Sequence, residues 1–436
     1  MFCKEDFMYR KIGLFALMLI LATTVVFAQG AKESGKGETV VLRMGDNIPD
    51  RSTGWGAVIE RINKEFIEMH PEVKITTESY QDQAWQEKVK IYATANQLPD
   101  VMKYWSFSTL LQPLVDGKFV EPLHMDTFKQ YGYMAGALEG NVYNGQLYGI
   151  PVSADLWVIY VNKALFEKVG VPLPQSWEDI VASVPKFKAQ GIIPMVTDGK
   201  DGWPLCEMFD NIQQRFSGSF QPVADAIERK ARYTDDNFLQ TARYIQNLVK
   251  AGVFQSDLVT SDYGASRNLF GQERAAMYMM GSWEMGLATD PNFSDSFRDN
   301  LDVIEFPVVK EGKGNSDDLL AWFGGNYIVN AKSEHKDLAL DYIEYYAKVF
   351  PAYAWETQAT FPAQKVEARE NDTIVAKKLL DIASDAKTTS GTPGLDRSTT
   401  AFKETHQDLM RRLMSNIITP EAFVAELDAA AEKAAK

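Results

Sequence analysis

Residues 40 to 79 constrain the fold more than any other stretch. "VVLRMG" (40–45) is a β-rich run. A helical pattern follows, with Ile59, Ile62, Phe66 and Met69 at steps of three and four, until His70-Pro71 stops it. "VKITTES" (73–79) is then strand-like again. Strand, helix, strand over this length is a βαβ unit, and its crossover makes the two strands parallel and commits the chain to an α/β sheet. The pattern recurs: Trp85, Val89 and Tyr92 line a second helix before "PDVMKYW" (99–105) enters another strand. Ligands of such sheets sit beyond the carboxyl ends of the strands. That sets Asp46-Asn47, the segment Tyr80 to Trp85, and Tyr104-Trp105 on one rim.

Later segments extend the reading. Asn144-Gly145 marks a turn, Leu147 to Pro151 is extended, and Leu156 to Val161 is an apolar strand leading into a helix. "LDVIEFPVVKEG" (301–312) reads as a strand ending in a polar loop. "WFGGNYIVNAKS" (322–333) is a glycine-marked extended run, followed by a helix from Leu338 to Val349. From Asp337 onward the chain is largely helical, broken at the Ser/Thr/Gly-rich "KTTSGTPGLDRSTT" (387–400). At 436 residues the chain outgrows a single hydrophobic core, which stops growing near ~250–300 residues, so two lobes are expected.

The N-terminus supplies an address. Tyr9-Arg10-Lys11 is a basic start, Ile12 to Ala22 is apolar, and Val26-Phe27-Ala28 is a small-x-small site. Residues 1–28 therefore read as a cleaved signal peptide and 29–38 as a spacer, with Met1 or Met8 as the start. Cys3 precedes the apolar run, so it is not placed as a lipid-bearing cysteine, and Cys206 is left with no disulfide partner. A formal charge of -14 argues against nucleic acid, whose binding rests on Lys and Arg neutralising phosphate, and against docking on anionic lipid.

Motifs for catalysis or metal fail one by one. His70, His124, His335 and His406 lie far apart without ligand spacing, so no metal is expected. Gly30 to Lys36 has phosphate-loop spacing, but Gly37 stands where Ser or Thr belongs. Asp317 replaces the last glycine of a dinucleotide fingerprint begun at Gly312 and Gly314. Ser282 lacks the flanking glycines of a nucleophile elbow. The 59 acidic residues leave a glycosidase pair open by counting alone.

What stands out is aromatics beside polar groups at expected loop and strand ends: Tyr80/Gln83/Trp85, Tyr104/Trp105, Asp155/Trp157, Trp203/Glu207, Trp283/Glu284 and Trp322/Asn326. An indole packs on the C–H face of a sugar ring while carboxylates and amides take its hydroxyls, each stack contributing ~1–2 kcal/mol by area. Lys-poor rims fit a neutral polyhydroxylated ligand better than an anion. In "FGQERAAMYMMGSWEM" (270–285), Phe270, Ala275, Ala276 and Met277 read as core and Trp283 as a floor for such a ring.

Several segments in order resemble the bacterial extracellular solute-binding proteins of family 1, the sugar-binding components of ABC importers. They are Phe66 with His70-Pro71, Leu98-Pro99-Asp100-Val101, Gly145 to Pro151, Tyr160-Val161-Asn162-Lys163 with Phe166, Gly170 and Ser176-Trp177-Glu178, Phe270-Gly271-Gln272 through Gly281-Ser282-Trp283, and Gly324-Gly325. The resemblance implies an α/β, two-lobed periplasmic-binding-protein-like fold with a hinge and an interlobe ligand cleft. Its chain crossings would fall near Val152–Leu156, Trp322–Asn326 and Gln358–Pro362. The expected division is 39–152 and 325–358 in the first lobe, 153–324 in the second, and 359–436 as C-terminal helices mainly of the second.

The function expected from this is capture of a mono- or oligosaccharide by hinge closure and delivery to permease subunits. The protein would be a periplasmic monomer, neither lipid-anchored nor membrane-inserted once the signal is cleaved, with no cofactor and no catalysis. Expected ligand-binding residues are Asn47, Gln83, Trp85, Trp105, Asp155, Trp157, Trp203, Glu207, Trp283, Trp322, Asn326 and Arg397, with Asp396 beside the last. The rival readings are a secreted carbohydrate-active enzyme and a binding protein serving a sensor or chemoreceptor.

Overall fold

The computed structural model describes residues 39–436; the expected signal and spacer lie outside the described residues. Eight strands share one sheet: β1 (Val40–Asp46), β2 (Val73–Ser79), β3 (Val101–Tyr104), β4 (Ile150–Asn162), β5 (Ile193–Val196), β6 (Ala275–Gly281), β7 (Leu301–Glu305) and β8 (Ala321–Val329). Their order is β2-β1-β3-β8-β4-β6-β5, with β7 also on β4. β1 runs parallel to β2 and β3, as the crossover pattern requires. The sheet as a whole is mixed, because β8 returns antiparallel to both β3 and β4.

β4 joins the two lobes. Its first half, Ile150 to Leu156, pairs with β8, and its second half, Trp157 to Asn162, pairs with β6 and β7. The sequence reads here as two separate elements, yet the chain forms one strand of 13 residues. Ser153 and Asp155 interrupt the apolar run, but both are buried, so the polarity marks a site inside the strand and not its end. A third segment lies alongside: Ala154 N donates to the Phe361 carbonyl at 3.0 Å, and Ala363 N to that of Val152 at 3.2 Å.

Two cores follow from this division. Leu42, Met44, Ile59, Ile62 and Phe66 pack with Tyr342, Tyr346 and Phe350 beneath the first half-sheet. A larger core lies around the second half-sheet and runs back under Trp85 and Met102. Met69, counted in the apolar stripe, is 51% exposed because the helix Gly54–Met69 ends there. The helix expected to end at Val349 runs from Lys336 to Thr357, through Pro351. A proline inside a helix removes a hydrogen bond, and burial of Phe350, Ala354 and Trp355 around it offsets that loss.

In the C-terminal third, helices Thr400–Met414 and Pro420–Ala434 pack against Trp203–Ser217 and Asp236–Ala251. Thr399 and Thr419 cap the first two of these, accepting from the N–H groups of Phe402 and Ala422. The polar break 387–400 holds a short pairing of Thr388-Thr389 with Asp318-Leu319 and a 3₁₀ turn at Gly394–Asp396. No helix among the described residues is long and apolar enough to cross a membrane.

Candidate functional site

A cavity of about 390 Å³ opens where the carboxyl ends of β1 and β3 face the second lobe. The first lobe contributes Asn47 from the end of β1, Trp55, Asp82 and Gln86 from helix starts, and Lys103 with Trp105 from the end of β3. Ser153, Asp155, Trp322 and Gly325 come from the crossing strands. The second lobe supplies Trp203, Glu207, Tyr263, Arg267, Trp283, Glu284 and Asp290, and the C-terminal segment adds Asp396 and Lys403.

Tryptophans build the second-lobe wall. The Trp283 ring lies 5.9 Å from Trp157, 5.8 Å from Trp203 and 5.9 Å from Trp322, centroid to centroid. These separations suit tilted aromatic packing and leave Trp283 half-buried, with a face toward the cavity. Gly281 at the end of β6 makes that position possible, since a Cβ there would sit 2.1 Å from the indole. Phe270, Ala275, Ala276, Met277, Met279, Met280 and Met285 are all core.

Acceptors stand beside the rings. Glu207 is the fifth residue of the helix Trp203–Ser217, which starts from Gly202 at φ +81° with Pro204 in its first turn. Its Oε2 is buried and has no partner among the described residues, and neither has Asp155 Oδ1. Burial pushes the Asp155 carboxyl up to about 7, partly offset by Ser153, Lys103 and the Trp322 indole. Burial raises Glu207 further, aided by repulsion from Asp396, Asp210 and Asp155. Gly324 lets Asp155 lie against β8, because a Cβ there would meet its carboxylate at 1.8 Å.

The first-lobe wall satisfies itself. Lys103 Nζ donates to Asn47 Oδ1 at 2.8 Å, and Asn47 Nδ2 donates to Asp82. The ammonium sits 4.5 Å from the Trp55 ring centroid and 5.5 Å from that of Trp105, within cation–π range. Burial lowers the Lys103 pKa, while Asp82, Asp46 and Asp155 work against that shift. Burial likewise raises Asp82. Across the cleft, Arg267 donates to Glu284 at 2.8 Å and to Asp290 at 2.9 Å, and Tyr263 donates to Glu284.

Seven of the twelve expected residues line the cavity: Asn47, Trp105, Asp155, Trp203, Glu207, Trp283 and Trp322. Five do not. Trp85 is fully buried, lies against Gly45, and donates its Nε1 to the Lys103 carbonyl at 2.7 Å. Trp157 is one layer behind Trp283. Asn326 is enclosed between β3 and β4. Gln83 is turned away, since Asp82 and Gln86, four residues apart, share the helix face toward the cavity. Arg397 sits 4.6 Å from the Phe220 centroid and donates to the carbonyls of Thr392 and Ser390, stapling its own turn.

Lys103 and Lys403 correct the expectation of lysine-poor rims, although Lys403 is tied to Asp396 at 2.8 Å. A lysine in the otherwise apolar "VMKY" strand is a signal in itself, because buried lysines are rare. Lys403, Tyr263 and Arg267 carry no such local mark. Seven carboxylates face the cavity (Asp50, Asp82, Asp155, Glu207, Glu284, Asp290 and Asp396) against three cations (Lys103, Arg267 and Lys403).

Residues 49–348 match the family described as bacterial extracellular solute-binding protein. The chain belongs to that family. It is 23% identical over 354 residues to the multiple sugar-binding protein of Streptococcus mutans, covering 77% of this solute-binding protein and 78% of the relative. An uncharacterised ABC transporter extracellular-binding protein of Pyrococcus horikoshii is 25% identical over 252 residues, 57% of each chain. Among solved structures, one from work on xylan utilisation by Caldanaerobius polysaccharolyticus superposes with a TM-score of 0.81 at 26% identity, over 89% of this chain and 99% of that one. A chitin oligosaccharide binding protein, at TM-score 0.79 and 19% identity over 92% and 100% of the two chains, shares the fold.

Proposed function

We propose that this solute-binding protein captures a neutral sugar or oligosaccharide between its lobes, closes on it, and hands it unaltered to the permease subunits of an ABC importer. The observation that carries this reading is the second-lobe wall, where the half-buried Trp283 ring lies beside two buried oxygens, Asp155 Oδ1 and Glu207 Oε2, that have no partner among the described residues. Buried acceptors need donors, and sugar hydroxyls provide them while the ring covers the apolar sugar face. Burial that disfavours charge on Asp82, Asp155 and Glu207 would penalise a phosphorylated or acidic sugar in the same way. The names of relatives that bind multiple sugars, chitin oligosaccharides or raffinose support the same ligand class.

In this reading the first lobe comprises 39–152 and 325–358, and the second 153–324 with most of 359–436. The protein works as a periplasmic monomer after cleavage at Ala28, without a lipid anchor. Ligand closes the cleft by favouring the closed state. A saccharide panel of xylo-, chito-, malto- and raffinose-type oligomers tests it by tryptophan fluorescence and melting temperature. A ligand present at a hundred times its Kd adds about 2.7 kcal/mol of stability, a clear upward shift. If no saccharide moves either signal while a peptide or a polyamine does, the ligand class is wrong.

A further inference from the structure

One spot on the cleft differs from the rest. Among the described residues, the polar groups of the first-lobe wall bond to one another, and so do those around Arg267. Between β3 and the C-terminal segment, however, several hydrogen bonds span the lobes together, whereas elsewhere Thr289 Oγ1 donates to the Thr357 carbonyl at 3.3 Å. Ser108 Oγ donates to the Asp396 carbonyl at 2.7 Å, Thr109 Oγ1 to Asp396 Oδ1 at 2.7 Å, and Thr400 Oγ1 to the Thr109 carbonyl at 3.1 Å. Each end is fixed to its own lobe. The 106–119 stretch continues from β3 and returns to β8, where Ala331 N donates to the Phe119 carbonyl at 2.9 Å. The Gly394–Asp396 turn is held to the second lobe, where Gly394 N donates to Asp210 Oδ2 at 2.7 Å.

The same Asp396 Oδ1 accepts from Lys403 Nζ at 2.8 Å, and both residues line the cavity. One buried oxygen therefore receives a hydroxyl from one lobe and an ammonium from the other, next to the place where ligand binds. We infer that Asp396 is a positioning residue that latches the lobes through Ser108 and Thr109. A bound ligand that contacts Lys403 or Asp396 strengthens the latch, which couples occupancy to closure. This rests on the cavity being a closing cleft, and not on which ligand it takes.

The test needs no ligand. Nitroxide labels are placed on Ile91→Cys, in the helix Asp82–Ala95 of the first lobe, and on Ile417→Cys, between the last two helices; these side chains are 60% and 70% exposed. Cys3→Ser removes one of the two native thiols, and the other, Cys206, is buried. Pulsed electron spin resonance then reads the distance between the lobes. Thr109→Val should lower the ratio of short to long distances about fivefold, the effect of one hydrogen bond. Ser108→Ala should act in the same direction, and Thr109→Ser, which keeps the hydroxyl, should match the parent. Coinciding distributions for the parent, Thr109→Val and Ser108→Ala overturn the latch, and so does a Thr109→Ser protein that behaves like Thr109→Val. A saccharide panel that gives no response leaves these distances unaffected, so the two ideas fail separately.

Discussion

The two walls of the cleft hold similar residues in opposite states. On the first-lobe wall, Lys103, Asn47 and Asp82 form a chain of hydrogen bonds between two indoles. On the second-lobe side, Glu207 and Asp155 are buried, each with one oxygen that no group among the described residues meets, beside a tryptophan cluster. Leaving a buried acceptor unpaired costs about 1–3 kcal/mol, which hydroxyls of a bound sugar would repay at these two oxygens. On the proposed function, this contrast gives each wall different work: the second side would hold the ligand, and the first would close over it as a preformed lid.

Substitutions can break that assignment. Trp283→Ala should fold yet weaken saccharide binding roughly five- to thirtyfold, since loss of a stacking indole costs about 1–2 kcal/mol. Calorimetric titration would show it, and undiminished affinity would return Trp283 to the core. Asp155→Asn should cost about tenfold in affinity and carries a pH signature as well. The Asp155 carboxyl titrates near 3.8 when unfolded and about 7 when folded. The folded state then binds the extra proton between those values, so stability from this group falls as pH rises from about 4 to 7 and is flat above. The variant should lack that decline and gain on the parent in melting temperature as pH rises from about 4 to 7. Equal pH profiles would show that Asp155 does not titrate this way. Lys103→Met removes one donor from the lid and should weaken binding only about threefold; a loss as large as that at Trp283 would erase the distinction between the walls.

Much of the scaffold was legible. The steps of Ile59, Ile62 and Phe66 between two β-rich runs specify a buried helix stripe and a parallel strand pair, and both are present. Patterning could not separate Trp85 from Trp283. Each is an aromatic beside polar side chains, but Trp85 lies on an inward helix face over Gly45, and Trp283 follows a strand end kept clear by Gly281. The difference is set by contacts between segments far apart in the chain, which local sequence does not encode. Gln83 missed by one residue for a related reason: its segment reaches the cavity, and helical phase turns Asp82 and Gln86 inward instead. The C-terminal contributors Asp396 and Lys403 come from a polar break and an amphipathic helix, and only the packing of that helix on the second lobe brings them to the cleft.

The insertion of β8 between β3 and β4 has a consequence for how the protein is made. The first half-sheet begins at Val40 but is not complete until Val329 has joined it. Pairings this distant in sequence form slowly, because a long loop must close before they contribute. During synthesis the nascent chain therefore lacks a finished first lobe until most of its length has emerged. A family whose members act outside the cytoplasm gains from that delay: the topology that places the binding cleft between the lobes also keeps the chain threadable while it is being exported.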